Sequence, residues 1–269
     1  IIRSALMLYG DVIKSNINKK IADELKNNWN DFKRALKNLE SVLKELKIGV
    51  GRFSSSWNVL LPIIYFIYYN PDFRKNIEGI RAYLIRAVLF TYFQSGTTSR
   101  LQQMKSRINE NDYEITVDML NQMNDLRVTD GKIEDILNEE KGSRVAGEAL
   151  YFLSLDWRNN HFKYEQDHLH PFDRFDGNKP LQVSMEDWRN WRGNRNRLAN
   201  LHLLEGRSNA SKSSMRLVDY YNDMNDNQKE EFKKQALIPE GVSLEIEDFN
   251  ELYEKRKEIL ADEIRELLG

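Results

Sequence analysis

The sequence predicts a mainly α protein: a helical bundle, then a small ββα unit of the kind that can hold a metal, then further helices at the C-terminal end. Three observations carry this. Apolar residues recur at steps of three or four across most of the first 155 residues. The periodicity changes after Asp156, where aromatics alternate in His161-Phe162-Lys163-Tyr164-Glu165-Gln166 and a loop rich in Pro, Asp and Gly follows from Pro171 to Pro180. Charge changes with it. Residues 1–156 sum to about +2, residues 157–216 carry eleven Lys/Arg against seven Asp/Glu, and residues 219–269 carry seven against fifteen.

The elements follow in order. From Ile17, the residues Ile21, Leu25, Trp29, Phe32, Leu36, Leu39, Leu43 and Leu46 predict one long amphipathic helix, stopped by Gly49 and Gly51. Ser54-Ser55-Ser56 offers caps for a second, more uniformly apolar helix through Tyr69, which Asn70-Pro71 breaks. A third helix spans 76–94, and the Ser95–Ser99 turn leads into shorter helical patterns at 99–108, 113–123, 133–139 and 143–155. Strands are expected near 161–166 and at 201–204, and a helix from a Ser208 cap through Tyr221. Helices at 226–236 and 247–268, joined by Ile238-Pro239-Glu240-Gly241, complete the chain. The expected domains are therefore 1–155, 156–225 and 226–269, the last packing on the second.

Composition narrows the function. The chain has no Cys, which excludes a cysteine nucleophile, a disulfide framework and thiolate zinc sites. With 30% charged and 11% aromatic residues it reads as a folded domain, and its most hydrophobic run, Trp57–Tyr69, is too short to span a bilayer. The chain opens on Ile1-Ile2-Arg3, without Met or a signal-peptide pattern, and is read as a piece whose start lies upstream.

All four His and three of the five Trp fall in 157–216, so chemistry is sought there. The informative string is Asp167-His168-Leu169-His170-Pro171, followed by Asn200-Leu201-His202 and Asn209-Ala210-Ser211-Lys212. An Asp at a strand end and an Asn at a helix start can give two oxygen ligands to one hard cation, Mg2+ or Mn2+. His168, on the other side of the strand from Asp167, can then act as base on a water attacking phosphorus. Lys212 is placed to reach a non-bridging phosphate oxygen. The stretch 188–197, read as a basic loop, places Arg189, Arg192, Arg195 and Arg197 beside Trp191 with no acid between them. Its plain reading is a solvated basic face. Between two halves of a phosphodiester site it reads better as a nucleic-acid surface, the arginines on phosphates and Trp191 stacking on a base.

These residues resemble the HNH (His-Me finger, ββα-metal) nucleases, whose pattern is D-H-x-x-P, N-L, then N-x-x-K. Asp167, His168 and Pro171 match the first part, Asn200-Leu201 the second, Asn209 and Lys212 the third, and the nine-residue step from Asn200 to Asn209 is common in that family. The resemblance implies a hydrolase that cuts DNA, with Asp167 and Asn209 on the metal, His168 as base, and Asn200 pinning the His168 loop. Residues 196–204, 236–239 and 249–256 further resemble the C-terminal half of GmrSD-type modification-dependent restriction enzymes and related phage-defence nucleases. That implies a cytoplasmic prokaryotic effector acting on DNA, modified phage DNA included, in company with an N-terminal nucleotide-hydrolysing domain or subunit that this sequence does not contain.

Two other readings stay open: a catalytically silent nucleic-acid-binding and assembly module on the same scaffold, and a zinc site built from His168, His170 and His202. Position 170 is often aliphatic in the motif, and a His there leaves open which imidazole does what, whether touching substrate or supporting the base. His202, between apolar neighbours, reads as a packed strand residue, and His161 as structural.

Overall fold

A computed structural model describes residues 1–53, 57–159, 162–206, 212 and 214–269, apart from the side chain of Lys14. Expectations for Ser54–Ser56, His161, Ser208 and Asn209 lie outside the described residues. The chain is mainly helical with one two-stranded antiparallel sheet, and divides into two units, Ile1–Val128 with Leu268–Gly269, and Thr129–Leu267.

The first unit is all helical: Ile2–Tyr9, Lys19–Asn27, Trp29–Glu45, Leu61–Tyr69, Ile77–Leu89, Thr97–Glu110 and Val117–Asn121. Its interior is built from Leu6, Phe32, Val42, Phe66, Ile80 and Leu101, all essentially inaccessible to solvent. Gly79 lies where the Ile77–Leu89 helix passes the 115–116 backbone; a Cβ there would sit 1.9 Å from the Ile115 carbonyl oxygen, so only glycine fits.

The single helix expected from Ile17 to Leu46 is two helices that meet at Asn28. The Asn28 side-chain amide donates to the Glu24 carbonyl at 2.9 Å, while φ −103° and ψ 22° take Asn28 out of the helical region. This is the competition of a short polar side chain with the helical ladder, and heptad-like spacing does not register it. Trp29 and Leu36, counted on the apolar stripe, are 40% and 38% exposed.

The second unit contains helices Asp130–Leu137 and Arg144–Leu153, strand β1 (Tyr164–His168), helix Met185–Asn194, strand β2 (Leu201–Glu205), and helices Leu217–Asn222, Asp226–Gln235 and Phe249–Leu268, whose last residue groups with the first unit. β1 and β2 are antiparallel, with Asp167 opposite His202 and His168 opposite Leu201. Leu169 packs with Leu217, Phe232, Ala236 and Leu252, which joins the strand end to the following helices.

The boundary expected at 155 falls at 128 instead. Residues 139–142 explain it, because they are bonded to the sheet region: Leu198 N–H donates to the Glu139 carbonyl, Lys141 N–H to the Asn196 carbonyl, and Gly142 N–H to Gln166 Oε1. The two helices flanking them therefore belong with the strands. The Arg-rich stretch, expected as a loop, is largely the helix Met185–Asn194, whose Ser184 cap accepts from Asp187 N–H at 2.9 Å and whose Trp188 and Trp191 form a buried face. The helix expected from 208 through 221 does not run continuously, since Arg216 is extended and a separate helix starts at Leu217. Among the described residues no helix is long and apolar enough to cross a membrane.

Candidate functional site

Successive residues of β1 send Asp167 and His168 to opposite faces. On one face, Asp167 Oδ2 accepts hydrogen bonds from Lys212 Nζ at 2.6 Å and from His202 Nε2 at 3.3 Å. The same ammonium donates to the His168 carbonyl. Burial raises the Asp167 carboxyl, but His202 and Lys212 outweigh it and hold the group well below the ordinary carboxylate range. It is thus a ready anion. Asn209, the second expected ligand, lies outside the described residues.

Lys212 was expected at a phosphate oxygen. It is instead inaccessible, its charge spent on Asp167, because a buried ammonium without a counter-ion would carry a heavy desolvation cost. Burial lowers its pKa, with Asp167 opposing. His202 is buried against Phe232, ring edge to face at 5.7 Å, as a packed strand residue should be, yet it also orients Asp167. Burial lowers its pKa to about 4 despite the carboxylate, so it is neutral and donates through Nε2.

On the opposite face, His168 Nε2 lies 3.1 Å from Asn196 Oδ1 and Nδ1 lies 3.4 Å from Lys141 Nζ. The tautomer follows from one more bond. Asn196 Nδ2 donates to Glu140 Oε2 at 3.1 Å, and a carboxylate can only accept, so the amide oxygen must face the imidazole. Nε2 therefore carries the proton and Nδ1 the lone pair. Burial lowers the His168 pKa, Asn196 opposes this, and Lys141 adds to it, which keeps the ring neutral and competent as a base.

Asn200 holds the turn that follows β1. Its Oδ1 accepts from His170 N–H at 3.0 Å, and its Nδ2 donates to the His170 carbonyl at 3.1 Å and the Arg195 carbonyl at 2.6 Å. Arg256, itself buried, donates to the carbonyls of Leu198, Ala199, Leu201 and Ala236 at 2.6 to 3.2 Å and so fixes the backbone on both sides of Asn200. The His170 ring packs against Phe249, Nε2 is buried without a partner, and burial lowers its pKa to about 3.

The arginines divide. Arg189 and Arg192 are exposed one turn apart. Arg195 is paired with Asp176 at 2.5 Å and lies 3.7 Å over the Phe172 ring, whose other neighbour is His168 at 5.8 Å. Arg197 donates to Asn138 Oδ1 at 2.7 Å. Trp191, expected to stack on a base, is 3% exposed between Trp188 and Phe249 and presents no face to a ligand; the i, i+3 spacing of the two tryptophans on one helix buries both.

The three imidazoles of the zinc alternative face three different environments, and among the described residues no group of three or more His, Cys, Asp or Glu side chains is arranged to hold a metal. Glu140 and Lys141 were not singled out from the sequence, because neither stands in a local pattern with His168, and Asn196 and Arg256 entered only as members of longer stretches, with no role of their own. No protein-family model matches the chain, and no curated protein matches it.

Proposed function

We propose that this chain is a metal-dependent DNA endonuclease of the HNH kind, hydrolysing phosphodiesters as the effector of a prokaryotic restriction or phage-defence system. The observation that carries the reading is the division of labour across β1. A carboxylate held as an anion faces one side, and a neutral imidazole with its lone pair on Nδ1 faces the other. In-line attack at phosphorus needs both, charge neutralisation for the leaving oxygen and a base for the water. Asp167 and Asn209 would hold Mg2+ or Mn2+, which when bound supplies the charge neutralisation. His168 takes the proton at Nδ1, Asn196 keeps Nε2 protonated, and Asn200 holds the strand end. Arg189 and Arg192 contact phosphates of the bound DNA, modified DNA included, and a nucleotide-hydrolysing partner domain governs substrate choice.

The close Lys212–Asp167 pair favours a second reading, a silent nucleic-acid-binding module on the same scaffold. Plasmid nicking separates the two. Conversion of supercoiled to open-circular DNA with Mg2+ or Mn2+, abolished by EDTA and by His168→Ala, is the expected result. No conversion with either metal sinks the enzyme reading.

A further inference from the structure

A side chain beside the candidate base nitrogen comes from outside the motif. Lys141 lies between the helices Asp130–Leu137 and Arg144–Leu153, 27 residues before His168. Its segment is fixed on both sides: Lys141 N–H bonds the Asn196 carbonyl at 2.8 Å, Gly142 N–H bonds Gln166 Oε1 at 2.9 Å, and the Glu139 carbonyl accepts from Leu198 N–H at 3.0 Å. A flexible surface lysine would not need such a seat. This one is exposed, yet its ammonium is held 3.4 Å from Nδ1, on the lone pair that a base must use.

Charge around His168 singles it out further. Lys212 is neutralised by Asp167, and Arg195 by Asp176. Lys141 makes no ion pair among the described residues. Among the described residues, the Lys141 charge is therefore left unpaired beside the nitrogen where an anionic substrate must arrive. A water activated at Nδ1 attacks phosphorus from about 3 to 3.5 Å. The non-bridging oxygens of that phosphate then lie within reach of a side chain already touching Nδ1.

We propose that Lys141 is the substrate-phosphate ligand of this site, binding a non-bridging oxygen of the nucleic-acid backbone in front of His168. This rests on the nuclease reading above and deepens it. It also gives Lys141 a second effect: drawing the ammonium onto a phosphate releases the Nδ1 lone pair, so the base becomes available when substrate is seated.

The test separates binding from cleavage. Wild type, Lys141→Gln, Lys141→Arg and, as a bulk-charge control, Lys163→Gln are titrated with a fluorescent 20-base-pair duplex in EDTA at several salt concentrations. The His168 ring resonances are followed by 1H–15N NMR in the same samples. Loss of one phosphate contact should weaken binding by about tenfold near 0.1 M salt and flatten the log-log salt slope by about 0.9 in Lys141→Gln. Lys141→Arg should restore both, Lys163→Gln should change neither, and duplex should shift the His168 resonances in wild type but not in Lys141→Gln. A Lys141→Gln slope equal to wild type, or a loss no greater than that of Lys163→Gln, overturns the proposal even if wild type cleaves DNA. The Lys141-specific loss in a wild type that cuts nothing with Mg2+ or Mn2+ supports the phosphate ligand and removes the nuclease reading instead.

Discussion

His170 offers a quantitative test because its contributions separate cleanly. Its backbone N–H and carbonyl are both taken by Asn200, so a substitution leaves that clamp in place. Its ring is buried, Nε2 has no partner, and the imidazole is depressed to about 3. His170→Leu keeps similar volume against Phe249 and removes both burdens. The unpartnered nitrogen costs the wild type about 1–3 kcal/mol at any pH. The proton adds a pH-dependent part. The folded pKa lies below the unfolded value near 6.5, so the unfolded chain binds the extra proton and stability is lost as pH falls below 6.5. At pH 5 this amounts to about 2 kcal/mol, and at pH 7.5 to almost nothing. Urea unfolding followed by tryptophan fluorescence should therefore find His170→Leu more stable by about 1–3 kcal/mol at pH 7.5, with the gap widening by about 2 kcal/mol at pH 5. A gap of equal size at the two pH values would refute the assignment of a buried, neutral imidazole.

Other outcomes follow from the same geometry. Lys212→Met leaves the Asp167 carboxylate buried with only His202, and should destabilise the second unit by about 3–5 kcal/mol; adding Asp167→Asn should restore most of it, and an additive double mutant would show that the pair is not coupled. The His168 15N spectrum should show the Nε2–H tautomer in wild type and a mixture in Asn196→Leu; an Nδ1–H tautomer in wild type would remove Nδ1 as the base. Arg189→Gln with Arg192→Gln should lower the log-log salt slope of DNA binding by about two units. Trp191→Ala, in contrast, should act on the fold, at about 3–5 kcal/mol, and truncation without loss of stability would mean the ring is not core.

The order of helices and the presence of the two strands were legible because periodicity of 3.6 or 2 depends only on neighbours along the chain. The Asp167-His168 alternation is of the same kind, since adjacent strand residues must face apart. What escaped was set by particular side chains, some acting within one helical turn and some across the fold. No pattern in 17–46 reports that Asn28 will capture the Glu24 carbonyl and split the helix. Four arginines in ten residues read as a loop because their charge masks a Ser184 cap and two tryptophans packing at i, i+3. Lys212 matched a motif position, but its burial depends on Asp167, 45 residues away. Glu140 and Lys141 precede the motif by a whole helix and strand, and only the chain path brings them to His168.

Arg256 ties these observations to the order in which the protein is made. The carbonyls it gathers on either side of Asn200 lie 55 to 58 residues upstream. During vectorial synthesis β1, β2 and Asn200 all emerge while their anchoring guanidinium has yet to be translated. The three carbonyls near Asn200 then lack their shared donor, and the turn beside His168 is held by the Asn200 amide without the guanidinium behind it. A nascent chain stalled before the last helix would thus carry the two strands and Asn200 without this support. Completion of the helix, and not of the strand pair alone, supplies the last of the hydrogen bonds around Asn200.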